Sequence, residues 1–354
     1  METKKHISFP SIERFANVIK AINHKYNFTG FDEAGDPIYD HTMKKPILNF
    51  KGTVKLHGTN FGVCYNALDG MWSQSRENII TVGKDNAGSA AFVESKKEVF
   101  QKLFEKVAEK YSINTLNNNI SIYGEWAGGS IQKGVAISNI EKAIFIIGVK
   151  ISPHLKNEDD KTPAYWVEHS FLKSPENRVF NIEDFPTFNI TIDFNNPLLS
   201  QNKIIEMTLE VEEQCPVGKA FGFEGIGEGI VFSYLNDKGE LFMFKSKGEK
   251  HAKGSKVTTL KPVDEERLNN IINLVNEVTP DWRLQQAIDK TFDLMNGGTL
   301  DIKKMGDFIK NVMADVLKEE VDTIAKSGFE FKELNGKIAE RSKQYFFAFQ
   351  LENA

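Results

Sequence analysis

Residues 51–62, KGTVKLHGTNFG, place a lysine between two segments that alternate like β-strands. Lys55 is therefore expected at a strand end or in a tight loop, where its amine can face a cleft. Gly58 allows a close backbone approach that a side chain would block. A lysine in such a position can serve as a nucleophile. A solvated lysine beside a turn would give the same short pattern.

Two later segments each place a carboxylate at a strand end. In ISIYGEWAGGSIQKGV, residues 120–135, an apolar strand leads to Glu125 and then to a loop of small residues. In FGFEGIGEGIVFSYL, residues 221–235, Glu228 stands among glycines just before an apolar strand. The glycine spacing and the following strand exclude a dinucleotide-binding fingerprint. The structural alternatives are an edge-strand glutamate and a solvated acid in a glycine-rich hairpin.

Two lysines share one face of the strand predicted in LFMFKSK, residues 241–247. Strand alternation puts Lys245 and Lys247 on the side opposite Phe244. Their charges repel each other, so the arrangement favours an anion bound between them and the rest of a site. A solvated, lysine-rich strand end is the alternative.

Together these side chains predict attack of an amine on a phosphate. Lys55 must be neutral to attack, and neighbouring cations such as Lys245, Lys247 and a metal ion favour the neutral amine. The same cations would neutralise charge that builds on the phosphate. Carboxylates at Glu125 and Glu228 could hold a ribose and a hydrated Mg²⁺. The predicted product is a covalent lysine–nucleotide adduct.

The elements around these residues predict an α+β fold with largely antiparallel sheets. Short β-type runs recur from about residue 46 to 250, interrupted by a helical segment at 90–111. After Pro262 the strand patterns stop and helical periodicity continues, for example over residues 301–327. We therefore predict two domains, residues 1–258 and an all-helical domain at residues 259–354.

Composition excludes several classes of function for this chain of 354 residues. Its net charge of −5 gives no global attraction to nucleic acid or to an anionic membrane, so any RNA contact needs a local basic patch. Two cysteines are too few for a disulfide framework, which favours a reducing compartment. Zinc-ligand clusters and a phosphate-binding P-loop motif are missing from the sequence. Signal-peptide and transmembrane patterns are also missing, so we expect a soluble cytoplasmic protein.

Five segments between about residues 50 and 255 resemble, in order, the motifs of the covalent nucleotidyltransferase superfamily of ligases and mRNA capping enzymes. The closest resemblance is to the RNA ligase 2 group, which contains phage double-strand RNA ligases and kinetoplastid RNA-editing ligases. His57 is typical of that group, because DNA ligases and capping enzymes usually carry aspartate there. The matching segments are KLHGTNFG, SQSREN, YGEWAGGSIQKGV, EGIVF and FKSK.

The resemblance implies a role for each matching residue. Lys55 is the adenylylated lysine, and Glu228 is also expected near the metal. The expected nucleotide-binding residues are His57, Thr59, Asn60, Arg76, Glu125, Phe145, Ile147, Glu228, Lys245 and Lys247. The run IFIIGV lacks the aromatic–aspartate pair that is common in the family, so adenine is expected to pack on Ile147 or Phe145. Val54 offers no polar side chain, so recognition of adenine would need backbone groups.

The fold implied by the resemblance is an ATP-grasp-like ligase adenylylation domain with flanking helices, followed by the helical domain. The implied activity is ATP-dependent joining of RNA 3′-hydroxyl and 5′-phosphate ends, at nicks in duplex RNA, with Mg²⁺ or Mn²⁺. We further expect a monomer in a bacterial or phage-infected cell. The helical domain is expected to dock RNA, with a purely stabilising role as the alternative. A DNA ligase, a capping guanylyltransferase and a catalytically silent nucleic-acid-binding relative remain competing interpretations.

Overall fold

The computed structural model describes residues 4–32, 34–154, 162–252 and 259–352. Contacts between Cα atoms divide the chain into two compact units. The first unit comprises residues 1–19, 47–192 and 200–261, and the second comprises residues 20–46, 193–199 and 262–354. The predicted boundary between residues 258 and 259 adjoins positions outside the described ranges, and it stays a prediction.

Strands and helices are mixed along the chain as far as β13, and the elements described after β13 are all helical. The strands are β1 Phe28–Phe31, β2 Pro37–Tyr39, β3 Ile47–Val54, β4 Thr59–Asn66, β5 Gly70–Ser75, β6 Ile79–Ile80, β7 Asn118–Ala127, β8 Ala143–Pro153, β9 Tyr165–Val167, β10 Val179–Asn181, β11 Phe188–Asp193, β12 Gly229–Leu235 and β13 Leu241–Lys247. The helices are α1 Phe15–Asn27, α2 Ser89–Ser95, α3 Lys97–Tyr111, α4 Gln201–Glu213, α5 Pro216–Ala220, α6 Glu249–Ala252, α7 Glu265–Val278, α8 Asp281–Phe292, α9 Met305–Glu319, α10 Val321–Ser327 and α11 Phe331–Glu352.

The larger sheet of the first unit has the order β10-β8-β7-β4-β5-β6, and β9 also pairs with β8. Within the described residues, the strand pairs of this sheet are antiparallel, except for the parallel pair of β10 with β8. Strand β7 is buried almost throughout because it lies between β4 and β8. Helix α3 covers the sheet with Phe100, Leu103, Phe104 and Val107, whose spacing puts them on one helical face. Burial of each of these side chains stabilises the folded state by about 1.5–3 kcal/mol relative to leaving it exposed to water.

The smaller sheet has the order β11-β3-β12-β13, and its register positions the chemistry of the first unit. Val54, the last residue of β3, pairs with Ile230 of β12. Gly229, the first residue of β12, pairs with Lys247 at the end of β13. Lys55, Glu228 and Lys247 therefore meet at the same end of three neighbouring strands.

The core of the second unit is formed by the apolar faces of its helices. Its buried residues include Val278 from α7, Ile288 from α8, Val312 from α9 and Ile338 from α11. Residues 259–352 contain no strand, in agreement with the predicted helical C-terminal part. No helix within the described ranges is both long and apolar enough to cross a membrane.

The structure confirms the predicted fold class, an α+β chain with antiparallel sheets and a helical C-terminal part. Two predicted helices are divided, however. The segment at 90–111 breaks at Lys96, whose backbone leaves the helical region with φ −122° and ψ 25°. The segment at 301–327 breaks at Glu320, with φ −114° and ψ 17°. The carboxylate of Glu320 there accepts hydrogen bonds from Arg283 at 2.8 Å and from Thr323 at 2.9 Å.

Candidate active site

Lys55 is held immediately after β3 by contacts on both sides of its short loop. Its backbone N–H donates to the carbonyl of Gly229 at 2.8 Å. The loop is also held just after His57, because the N–H of Gly58 donates to Oε1 of Glu125 at 3.0 Å. A Cβ atom on Gly58 would collide with the carbonyl oxygen of Trp126. The predicted close approach at Gly58 therefore exists, and it fixes the loop that carries Lys55.

The carboxylate of Glu228 lies between two ammonium groups. Its Oε2 is 2.7 Å from Nζ of Lys55, and its Oε1 is 2.6 Å from Nζ of Lys247. Nδ1 of His57 lies 3.4 Å from Oε2. The side chain of Glu228 is only 3% exposed. Burial alone would raise the pKa of Glu228, but the charges and hydrogen bonds of the two lysines outweigh it and lower that pKa.

The backbone conformation of Gly229 allows the side chain of Glu228 to lie buried beside Lys247. Its φ of +144° lies in a region that residues with a side chain rarely adopt. A Cβ atom there would collide with the carbonyl oxygen of Ser246 and lie 3.0 Å from Cα of Lys247. The close approach of β12 to β13 at this point brings Glu228 within reach of Lys247. The sequence favoured an anion beside the lysines, and the structure supplies one from the chain itself.

Lys245 and Arg76 extend the positive region around this carboxylate. Lys245 pairs with Val231 across β12 and β13, two residues before Lys247 and on the same face. Burial lowers the pKa of Lys245, and the charges of Lys247, Lys55 and Arg76 lower it further. Arg76 is exposed after β5 and donates to Oγ of Ser11 at 3.3 Å.

Glu125 lies on β7, where it pairs with Asn60 of β4. Burial raises the pKa of Glu125 to about 7, although Lys55 and the N–H of Gly58 act in the opposite direction. The neighbouring Thr59 accepts a hydrogen bond from Asn86 at 3.0 Å. Glu125 can therefore change its charge near neutral pH, beside the candidate nucleophile.

A cavity next to Lys55 has a mostly apolar lining. Its apolar residues are Phe9, Ile12, Val54, Leu56, Ile147, Ile182, Val231 and Met243. Lys55, Glu125, His169 and Glu183 also line it. This combination suits the chemistry of a nucleotide, whose base is flat and largely apolar on its faces while its phosphate is anionic.

The two residues proposed to pack against adenine are placed differently. Ile147 lines the cavity beside Lys55. Phe145 is fully buried among the rings of Phe180, Phe185 and Phe221, with ring centroids 5.5–6.3 Å away. Phe145 does not belong to the cavity lining within the part of the chain that the structure describes. Of the two, only Ile147 is available to a bound base.

The described residues do not form a ready metal site around Glu228. They contain no group of three or more His, Cys, Asp or Glu side chains that could hold a metal ion. Both oxygens of Glu228 already accept from ammonium groups, so direct coordination would require a lysine to move away. The metal role expected for Glu228 stays a prediction.

Three residues of the cavity region escaped the sequence analysis: Lys51, His169 and Glu183. Nζ of Lys51 lies 2.8 Å from Oε2 of Glu183. Lys51 could have been found from alternation, because it lies four residues before Lys55 and so on the same face of the chain. His169 and Glu183 carry no such signal, since His169 lies in a loop after β9 and Glu183 in a single 3-10 turn after β10.

The family comparison covers the region that contains this site. A family model described as RNA ligase matches residues 49–247, which is more than half of the chain. The chain therefore belongs to the RNA ligase family. No curated protein sequence matches it significantly.

Solved structures similar to this chain include three of an RNA ligase from Naegleria gruberi. The structure with PPi has 17% sequence identity and a TM-score of 0.39. A variant with ATP and Mn has 17% identity and a TM-score of 0.40, and a variant with AMP and Mn has 16% identity and a TM-score of 0.40. Each match covers 71% of this chain and 58% of the Naegleria chain.

Proposed function

We propose that this protein is an ATP-dependent RNA ligase that joins 3′-hydroxyl and 5′-phosphate ends through a lysyl–AMP adduct. The observation that carries the proposal is the placement of Lys55 at a largely apolar cavity, with Glu228 and Lys247 around its amine. Membership of the RNA ligase family supports the same activity. We also propose ATP and a divalent cation, such as the Mn of the Naegleria structures, as cofactors.

In the first step, the neutral amine of Lys55 attacks the α-phosphorus of ATP through Nζ and releases one N–H proton to water. A phosphorus–nitrogen bond forms, and the bond to the pyrophosphate oxygen breaks. Glu228 orients Nζ through the 2.7 Å contact before attack. Lys245, Lys247 and Arg76 supply positive charge where phosphate charge must be neutralised. Glu125 is proposed to hold the ribose hydroxyls.

Two further displacements complete the reaction. The 5′-phosphate of an RNA end attacks the adduct, which breaks the phosphorus–nitrogen bond and gives an AMP-capped RNA end. A 3′-hydroxyl then attacks the capped phosphate, forms the phosphodiester and releases AMP. Each step is a displacement at phosphorus, so positioning and charge neutralisation account for most of the rate.

We further propose that the protein belongs to the RNA ligase 2 group and that its substrate is nicked duplex RNA. The histidine at position 57 supports the group, because DNA ligases and capping enzymes usually carry aspartate at that position. A nicked duplex presents both ends to be joined on one template, which favours the last step through proximity. We also propose a monomer that acts in the cytoplasm of a bacterial or phage-infected cell.

RNA docking by the second unit requires a local site. Residues 262–354 carry 12 Lys and Arg against 17 Asp and Glu, so this segment has the whole acidic excess of the chain. Overall charge therefore opposes RNA binding there. Within the second unit, a cavity lined partly by Lys44, Lys45 and Arg341 offers cationic groups, although Asp281, Glu340 and Glu352 also line it. We propose this cavity as the docking point.

The direct test is incubation of the protein with α-labelled ATP and Mg²⁺, or Mn²⁺, in the absence of RNA. We expect covalent label on the native chain and none on a Lys55→Ala variant. Arg267 lies in the other unit, so Arg267→Ala should be labelled like the native chain and serves as the control. A native protein that folds but stays unlabelled would contradict the proposal.

Substrate and nucleotide panels separate the competing interpretations. A capping guanylyltransferase would take label from GTP in preference to ATP. A DNA ligase would seal a nick whose 3′-hydroxyl strand is DNA at least as well as one whose strand is RNA. A silent nucleic-acid-binding relative would bind RNA without any adduct. We expect ATP-dependent label and preferential sealing of nicked RNA, and loss of sealing alone in a variant with Lys44, Lys45 and Arg341 replaced by Ala.

A further inference from the structure

The polar cluster formed by Lys51, His169 and Glu183 is part of the same cavity region as Lys55, but the chemistry at phosphorus does not use it. Glu183 and His169 line the cavity together with Lys55. Lys51 lies four residues before Lys55 along the chain at the end of β3, a path of about 13 Å in an extended strand. That distance suits the base end of a nucleotide whose phosphate lies at Lys55.

Asn181 fixes the orientation of this cluster. Its Oδ1 accepts a hydrogen bond from the backbone N–H of Glu183 at 3.0 Å. Its Nδ2 donates to the backbone carbonyls of His169 at 2.6 Å and of Leu172 at 3.2 Å. The backbone partners therefore determine which atom of the side-chain amide is oxygen and which is nitrogen. Asn181 is completely buried.

The same amide determines which nitrogen of His169 carries a proton. Nδ2 of Asn181 lies 3.3 Å from Nδ1 of His169. Because an amide NH₂ group cannot accept a hydrogen bond, a proton on Nδ1 would have no acceptor there, which favours an unprotonated Nδ1. Burial lowers the pKa of His169, despite the opposing charges of Glu183 and Glu168, so the ring is neutral at physiological pH. The single ring proton is then on Nε2, the nitrogen that faces Glu183.

One oxygen of the Glu183 carboxylate is engaged by Lys51, and the other lies near that N–H without a hydrogen bond to it. Oε2 lies 2.8 Å from Nζ of Lys51, whereas Oε1 is 3.9 Å from Nε2 of His169, beyond hydrogen-bond distance. The side chains of Glu183 and His169 are each 15% exposed. The cluster therefore offers one acceptor oxygen and one N–H donor side by side at the cavity wall.

This pair of groups complements the Watson–Crick edge of adenine, on which the N6 amino donor adjoins the N1 acceptor. Guanine in the same position would place its O6 acceptor opposite the carboxylate of Glu183 and its N1–H donor opposite the N–H of His169, so neither contact could form. We propose that Glu183 and His169 read the adenine base of ATP, Glu183 accepting from N6 and His169 donating to N1. This inference rests on the proposed function. It supplies the side-chain contact that Val54 cannot provide.

A chemical double-mutant cycle tests the assignment. The native protein and Glu183→Gln are each given ATP and purine riboside triphosphate, which lacks the N6 amino group, and the rate of adduct formation is measured against nucleotide concentration. For the native protein we expect kcat/KM to be about 10- to 100-fold lower with the analogue, as for loss of a hydrogen bond to a charged group. The loss should lie mainly in KM, because the base is remote from phosphorus.

The Glu183→Gln variant should discriminate much less between ATP and purine riboside triphosphate. Its preference for ATP over GTP should fall as well. Glu333→Gln, which removes a charge from the other unit, is the matched control and should discriminate like the native protein. If the native protein forms the adduct but Glu183→Gln discriminates as well as the native protein does, the base-reading assignment is wrong while the proposed ligase survives. If the native protein forms no adduct from any nucleotide, the proposed function itself fails.

Discussion

Replacing Glu228 by glutamine tests whether its carboxylate is the charged centre of the site. The variant keeps the shape of the side chain but removes one negative charge from between Lys55 and Lys247. The amide can accept through its single oxygen from only one lysine. Its NH₂ group would direct a donor at the other ammonium group, which then has no acceptor there.

The expected cost follows from burial of the three groups. Removing one partner of a buried ion pair costs about 3–5 kcal/mol because the remaining charge is left uncompensated. Glu228 is 3% exposed, but the side chains of Lys55 and Lys247 are 19% and 16% exposed, so water partly solvates them. We therefore expect the lower end of the range, about 3 kcal/mol, or roughly a 100-fold change in the unfolding equilibrium constant.

Urea unfolding followed by tryptophan fluorescence measures this change. Trp72, Trp126 and Trp166 belong to the first unit, so three of the four tryptophans report on the unit that carries the site. Formation of the AMP adduct, measured in a single turnover, should also fall by about 10- to 100-fold, because Nζ of Lys55 loses a charge-assisted hydrogen bond.

Glu333→Gln is the control for stability, since it breaks an ion pair of the same length on the surface. Glu333 lies 2.6 Å from Arg267, and the two side chains are 28% and 46% exposed. Such exposed pairs contribute little to stability, because water solvates both charges. A Glu228→Gln variant that is no less stable than this control would refute the argument from burial. A destabilised variant with native adduct formation would show that Glu228 does not position the nucleophile.

Three further predictions follow from individual residues. Gly58→Ala should lose about 1–3 kcal/mol of stability and most adduct formation, because its Cβ would meet backbone atoms, whereas Gly83→Ala, with open space around its Cα, should match the native protein. Burial raises the pKa of Glu125 from 4.5 to about 7, so the folded state binds this proton more tightly; the free energy of unfolding should therefore fall as pH rises from about 4.5 to about 7, and Glu125→Gln should lack that slope. Cys64 and Cys215 are buried and burial raises the pKa of both thiols, so mass spectrometry should detect no maleimide adduct until the protein unfolds.

Each of these predictions has a contrary outcome. Equal stability of the two glycine variants would mean that the loop after Lys55 can shift without cost. A native pH profile that parallels that of Glu125→Gln would mean that this carboxyl is ionised as in the unfolded chain. Rapid labelling of either thiol in the folded protein would mean that the cores around β4 and α5 open readily.

Much of the fold could be predicted because local patterns and long-range packing agree. Apolar runs without alternation became the buried strands β7 and β8, and the periodicity after Pro262 became helices. The helix breaks at Lys96 and Glu320 could not be predicted, because both residues fit a helical pattern. Their backbones depart from it only through capping and tertiary contacts.

The candidate site was predictable where its residues follow strand ends. Lys55, Glu228 and Lys247 carry strong local signals, and antiparallel register brings them together. Their chemical roles stay predictions. Two features of the site could not be predicted from the sequence. The anion between the lysines is a side chain of the chain itself, and the Glu183–His169 pair comes from a 3-10 turn and a loop that only tertiary structure places near the cavity.

The segments of the second unit are interleaved with the first unit along the chain, and this affects how the protein can fold during synthesis. The ring of His41 stacks on Phe347 with centroids 4.3 Å apart, although roughly 300 residues separate them. Closing a loop of that length costs about 5 kcal/mol of chain entropy. Residues 20–46 must therefore wait on the ribosome, without their final partners, until α11 has emerged. A ribosome stalled before α11 would carry a nascent chain whose early segment stays open to proteases and chaperones.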